Sequence, residues 1–178
     1  ATIGGNVCIR GDGRLEGARV EYSPRSNSYL LTWTDYGVSP QGIQAIRLDS
    51  TATPIGSAFN ISANQTSASY YPAISYNSVD DEFLVVFQVN MEATNPPRWW
   101  DLYAQRVRAS DGALLGSNFV ISATTDFDCD GNVTYDSNMN RYLVVYWGGN
   151  PTPWAQFVSA SGALQGNRIP IGEGYYNG

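Results

Sequence analysis

Three apolar segments of the chain match one another in pattern: Tyr29-Leu-Leu-Thr-Trp33, Phe83-Leu-Val-Val-Phe87 and Tyr142-Leu-Val-Val-Tyr146, spaced 54 and 59 residues apart. Each follows a strand-like stretch across a polar turn: Ala18-Arg-Val-Glu-Tyr22, Ala73-Ile-Ser-Tyr76 and Asn132-Val-Thr-Tyr135. Each precedes an alternating segment, Ile43–Leu48, Leu102–Val107 and Trp154–Val158, and then a fourth piece that opens on glycine, at 56–61, 116–121 and 166–171. Short β-branched and aromatic runs divided by Gly, Pro, Asn and Asp turns, with no stretch of helical period, predict an all-β chain. The second segment of each unit is apolar on both faces and is expected to be the most deeply buried, with Leu31, Ile74, Val85, Val86, Val144 and Val145 in the core.

Four-stranded units repeated at about 50 residues are the signature of β-propeller blades, whose sheets pack face to face. The expected fold is three four-stranded antiparallel propeller-like blades plus an N-terminal orphan strand, Ile3–Val7. A β-sandwich is the alternative, and it gives no reason for three similar units. The boundaries read as an N-terminal strand and connection over 1–17, blade 1 over 18–71, blade 2 with its connection over 72–130, and blade 3 with a tail over 131–178. Propellers usually close with four to eight blades, so three blades and an orphan strand point to self-association or to a place in a longer protein.

Of 178 residues, 43% are hydrophobic and only 15% charged; all ten basic residues are arginine and there is no histidine. The net charge of -6 argues against a nucleic-acid partner, because phosphate binding needs a basic patch. The composition removes Ser-His-Asp triads, histidine-liganded zinc, Schiff-base lysines and P-loops. No run of 18 or more apolar residues is present to span a bilayer. Cys8 and Cys129 are expected to form one long-range disulfide, with two free thiols as the alternative. The sequons at Asn60, Asn64 and Asn132 suit an extracellular or cell-surface location.

Because successive strands alternate in direction, one end of the blades gathers the loops that carry Tyr36, Trp99, Trp100 and Trp154 together with the connections that carry Tyr70 and Tyr71. Flat aromatic faces in proline-stiffened loops suit stacking on a sugar, and these six residues are the candidate ligand site. Strand alternation alternatively turns Trp154 and one of the Trp99-Trp100 pair inward, to pack between blades. The run Asp126-x-Asp128-x-Asp130-Gly131-Asn132 matches the start of a calcium loop, and calcium is the one cofactor expected. Ser137 stands where an EF-hand needs its bidentate glutamate, which excludes that motif. Arg10-Gly11-Asp12 reads as a turn.

The combination Asp101-Leu-Tyr-Ala-Gln-Arg-Val107, Ser110-Asp-Gly-Ala-Leu-Leu-Gly116 and Phe119-Val-Ile-Ser122 resembles the repeats of secreted bacterial and archaeal β-propeller surface proteins. The Asp126 run likewise resembles the calcium loops of integrin-type blades. The resemblance rests on structural motifs and names no activity; composition, blade count and loop content together lead to the expectation of a non-enzymatic extracellular surface or structural protein acting by self-association and ligand binding. A lectin-like glycan-binding module is the alternative. The least favoured reading is a carboxylate-dependent glycosidase using residues among Asp35, Glu92, Asp101, Asp126 and Asp128, since the Ser110-Asp-Gly run lacks the remainder of a sialidase Asp-box.

Overall fold

The structure is a computed structural model that describes residues 14–92, 99–125, 127–149 and 152–172. The described residues form twelve strands in three antiparallel sheets, each made of four strands in chain order. Blade 1 is β1 (Leu15–Ser23), β2 (Ser28–Asp35), β3 (Gly42–Asp49) and β4 (Pro54–Asn60). Blade 2 is β5 (Ser69–Asn77), β6 (Glu82–Asn90), β7 (Trp100–Arg108) and β8 (Leu114–Ser122). Blade 3 is β9 (Asp128–Asp136), β10 (Arg141–Gly148), β11 (Pro153–Ser159) and β12 (Leu164–Pro170). The orphan strand expected at Ile3–Val7 lies outside the described residues.

The hairpin between the first two strands of each blade is set by one recurring device. Tyr22, Tyr76 and Tyr135 donate their hydroxyls to Asn27, Asp81 and Asn140 at 2.8, 2.9 and 2.6 Å. The three acceptors all hold left-handed backbone, with φ of 46, 57 and 47°, a conformation that Asn and Asp tolerate better than most residues. The turn chemistry therefore repeats along with the strands.

Alternation gives the middle sheet, blade 2, an apolar face on either side. One cluster packs Leu30, Ile43, Ala45 and Ile61 of blade 1 against Ile74, Phe83, Val85, Phe87 and Val107 of blade 2. A second packs Leu84, Val86, Leu102, Ala104 and Ile121 of blade 2 against Val133, Tyr142, Val144, Tyr146 and Val158 of blade 3. Strand β6 is buried along nearly all its length because it has a blade on either side. Leu31 and Val145, expected in the core, are only half-buried: their faces of blades 1 and 3 have no further blade against them.

Each first strand begins three residues before the boundary read from the sequence, at 15, 69 and 128 rather than 18, 72 and 131. A bulge at the same step of all three strands accounts for the difference, since it breaks the alternation that marks a strand.

Candidate functional site

The first strands, β1, β5 and β9, lie side by side across the three blades. Their pairing with the second strands shifts register between Glu16 and Arg19, between Tyr70 and Ala73, and between Cys129 and Asn132. The inserted residues Gly17, Tyr71 and Asp130 have φ of 63, 51 and 52°. Glycine takes this conformation freely, whereas an L side chain there costs about 1–2 kcal/mol, and a bulky tyrosine is an outlier. Such bulges re-aim side chains, and strain retained at one is a pointer to function.

The bulges open onto a cleft of about 260 Å³. Arg19 reaches it from β1, Tyr71 from β5, and Asp130 and Asn132 from β9, over a floor that includes Pro72 and Gly131. The backbone around it is pinned: the Tyr71 amide donates to Thr34 Oγ1 at 2.9 Å and the Asp130 amide to Gln88 Oε1 at 3.1 Å. A Cβ on Gly131 would lie 2.7 Å from Leu102 Cδ1, so glycine is what lets β9 close against blade 2. A guanidinium, a phenol, a carboxylate and an amide thus share one concave site.

Aromatic rings wall the same end. Tyr70 lies 5.7 Å from Tyr36, 6.2 Å from Tyr71 and 5.4 Å, edge on, from Trp100. The Tyr70 hydroxyl is held by Gln41 and that of Tyr36 by Glu16 at 2.9 Å. Burial, and then the adjoining Glu16 carboxylate, hold the Tyr36 phenol protonated well above its ordinary range. Trp99 stacks flat on Phe127, 5.3 Å between centroids and 8° between planes, and stays half exposed. Trp154 is closed off: Arg168 covers its ring at 4.1 Å and its Nε1 donates to the Gly148 carbonyl at 2.6 Å. Of the six aromatic candidates, Tyr71 and Trp99 present open faces while Tyr36, Tyr70 and Trp100 support them, and Trp154 belongs to the blade 2–blade 3 packing.

No family model matches the chain, and no curated protein matches it. Solved structures do. One is the "Hadza microbial sialidase Hz136", with a TM-score of 0.57 at 12% identity, over 80% of this chain and 34% of that one. The chain spans about a third of the length of that structure, and at this identity the likeness is one of fold. It corrects the expectation of a non-enzymatic surface protein, and with it the expectation that the chain is no enzyme: a solved structure that shares this architecture is a sialidase. The physical reason for the discrepancy is that a propeller cleft assembles its chemistry from separate strands, so no contiguous motif announces it.

Among the described residues, the carboxylates singled out for a glycosidase form no group of three, and Asp126 lies outside them. Asp35 and Asp101 are fully buried, and Asp35 accepts the Gly37 amide at 2.8 Å. Glu92 is exposed just past the end of β6. Asp128 is buried, with Oδ2 accepting the Thr124 amide at 2.7 Å and Oδ1 turned toward Gly148; burial raises its proton affinity. Of the proposed calcium ligands, Asp126 lies outside the described residues, Asp128 turns into the blade, and Asp130 and Asn132 line the cleft. Among the described residues no three carboxylate or thiol groups cluster around one point. Cys129 is half-buried, its thiol pushed up to about 11 by burial and by the Asp130 and Asp128 carboxylates, while Cys8 lies outside the described residues. The sequon residues Asn60, Asn64 and Asn132 are exposed.

Arg19 escapes sequence reasoning altogether. A single arginine on a polar strand carries no signal of its own. Its register, matching Ala73 and Asn132 in the other blades, is the one feature that could mark it as facing the shared cleft.

Proposed function

We propose that this chain is part of a glycoside-acting β-propeller enzyme, with substrate bound in the cleft of Arg19, Tyr71, Asp130 and Asn132. The observation that carries the reading is the convergence of these groups from three separate strands onto one cleft, in a fold shared with a sialidase. Glycoside cleavage needs one group to protonate the leaving oxygen and a second to attack or stabilise the anomeric carbon; carboxyl groups usually serve, and in some enzymes a tyrosine takes the second part. Asp130 and Tyr71 supply a carboxyl and a phenol. Arg19 is a cation suited to an acidic sugar, a useful counterweight in a chain of net charge -6. Trp99, half exposed on its stack with Phe127, offers an open ring for a further sugar unit.

The exposed sequons at Asn60 and Asn64, away from the cleft lining, support an extracellular setting, where such substrates are displayed. The test is release of fluorophore from methylumbelliferyl glycosides, a sialoside and neutral sugars side by side, by the full chain. Turnover that falls at least tenfold in both Tyr71→Phe and Asp130→Asn supports the assignment. Absence of turnover on every substrate, or turnover indifferent to both substitutions, overturns it.

A further inference from the structure

A bulge takes residues out of the strand ladder and leaves a backbone amide to be satisfied elsewhere. In β5 the interrupted pairing spans Tyr71 and Pro72, and since proline has no N–H, Tyr71 carries the one amide there that can donate. In β9 it spans Asp130 and Gly131. In both strands the first residue of the gap finds its acceptor in the blade before it, outside its own sheet. The Tyr71 amide donates to Thr34 Oγ1 of β2 at 2.9 Å, and the Asp130 amide to Gln88 Oε1 of β6 at 3.1 Å.

Thr34 and Gln88 hold the same place in the repeat, each following its blade's matched apolar segment, after Trp33 and after Phe87. Both are buried, at 0 and 5% exposure, and neither lines the cleft. One offers a hydroxyl and the other an amide; what they share is an oxygen delivered from one position to the bulge of the next blade. The recipients share as little, a tyrosine and an aspartate, yet take φ of 51 and 52°. An L side chain stays in left-handed backbone where its surroundings over-determine it, and a bond to the amide of that residue constrains φ directly. Fixing φ fixes the direction of the Cα–Cβ bond, and so where the side chain points. The third blade carries Trp147 at the equivalent position, after Tyr146, and an indole can donate but not accept. Among the described residues, the device is confined to the two junctions whose bulges put a side chain into the cleft.

Taking the cleft as the glycoside site proposed above, we propose that Thr34 and Gln88 are its positioning residues. Each acts through a backbone amide of the following blade, Thr34 aiming the Tyr71 phenol and Gln88 the Asp130 carboxylate. The phenol is then placed by blade 1 and the carboxylate by blade 2, although the two side chains belong to blades 2 and 3. The spacing between the two groups is set by how the blades dock, and a change buried in one junction misplaces one group and spares the other.

The test uses the full chain and the variants Thr34→Val and Gln88→Met, which keep the side-chain volume and remove the acceptor oxygen. Amide hydrogen exchange is followed by NMR, with β circular dichroism recorded for each variant. The Tyr71 amide is expected to exchange about tenfold faster in Thr34→Val, and the Asp130 amide about tenfold faster in Gln88→Met, the worth of one hydrogen bond. Each variant should leave the other amide unchanged, and Thr34→Ser, which keeps the hydroxyl, should restore the Tyr71 rate. Where a variant loses its β spectrum, Thr34→Ala or Gln88→Asn takes its place, the latter drawing the acceptor back by one methylene. On a glycoside that is turned over, Thr34→Val is expected to lower kcat about tenfold in the unmodified chain and not in Tyr71→Phe, since it acts through Tyr71. Exchange unchanged in both variants, both amides accelerated alike by either one, or a kcat loss that persists in Tyr71→Phe overturns the proposal. Exchange is read without substrate, so a chain that cleaves no glycoside refutes the glycoside reading alone, and the exchange rates still decide whether Thr34 and Gln88 hold the bulges.

Discussion

Tyr71 and Asp130 occupy the same step of neighbouring strands, and both hold left-handed backbone, at φ 51 and 52°. In blade 1 the same step is Gly17, the residue for which that conformation carries no steric penalty. Two blades therefore keep a strained side chain where the first does without one, and the two side chains line one cleft. Replacing Tyr71 by glycine is expected to relieve the strain, raising stability by about 1 kcal/mol, while removing the phenol from the site. Urea unfolding and ligand titration on the same sample check both halves. Lower stability with unchanged binding would show that Tyr71 is there for packing.

Gly131 is the opposite case, a glycine required by its surroundings. A Cβ there would meet Leu102 at 2.7 Å and Val86 at 3.1 Å, both fully buried in blade 2. Gly131→Ala is expected to push β9 away from blade 2 at a cost of about 1–3 kcal/mol. The matching positions are Pro72 in blade 2 and Ala18 in blade 1, so the demand is local to the junction of blades 2 and 3. An unaltered thermal midpoint would refute it.

The twelve strands are legible because period-2 alternation and turn residues coincide at every hairpin, as at Asn77-Ser-Val-Asp-Asp81. What the pattern does not carry is anything that depends on neighbours. Val144 and Val145 read alike in the sequence, yet one is fully buried between blades and the other half-exposed on the free face of blade 3. Tyr70-Tyr71-Pro72 reads as a connection because proline and a broken alternation end a strand signal, and the structure runs β5 straight through it. Chain direction alone locates the aromatic wall, but the arginine and carboxylate that line the cleft need the third dimension. Spacing puts Asp130 among metal ligands, and spacing cannot register that the bulge turns it to the cleft.

Asp81 ties blade 1 to blade 2. Its Oδ1 accepts Ser23 at 2.6 Å and Tyr76 at 2.9 Å, and its Oδ2 accepts Ser26. Burial works against its charge, but the hydrogen bonds from Ser23, Ser26 and Tyr76 outweigh it and hold the carboxyl below the ordinary range. A folded-state value below the unfolded one means that the stabilisation is present above about pH 4 and is lost as pH falls through the folded value. Asp81→Asn, which keeps a residue tolerant of φ 57°, is expected to cost about 2 kcal/mol at pH 7. Its deficit should shrink between pH 4 and pH 2, read by urea unfolding at each. A deficit of constant size would mean that the charge is not what matters.

Trp99 and Trp154 share a residue type and neighbouring prolines in sequence but are separated by structure, Trp154 standing in β11, so they should fail differently when truncated. Trp99 is 50% exposed and touches Phe127 through a flat stack, an arrangement that leaves its outer face to a ligand. Its loss removes an exposed surface ring, and Trp99→Ala is expected to change stability by about 0.5 kcal/mol or less. A sugar that stacks there would lose about 1 kcal/mol, roughly a fivefold weaker affinity. Trp154 lies under Arg168, donates to Gly148, and packs on the cluster that joins blades 2 and 3. Trp154→Ala therefore leaves both a void and an unpaired carbonyl, at about 3–5 kcal/mol of stability. Isothermal titration with an oligosaccharide, alongside thermal unfolding of both variants, separates the two roles. If Trp99→Ala binds as tightly as the unmodified chain, the sugar does not reach past the cleft, and the site ends at Tyr71.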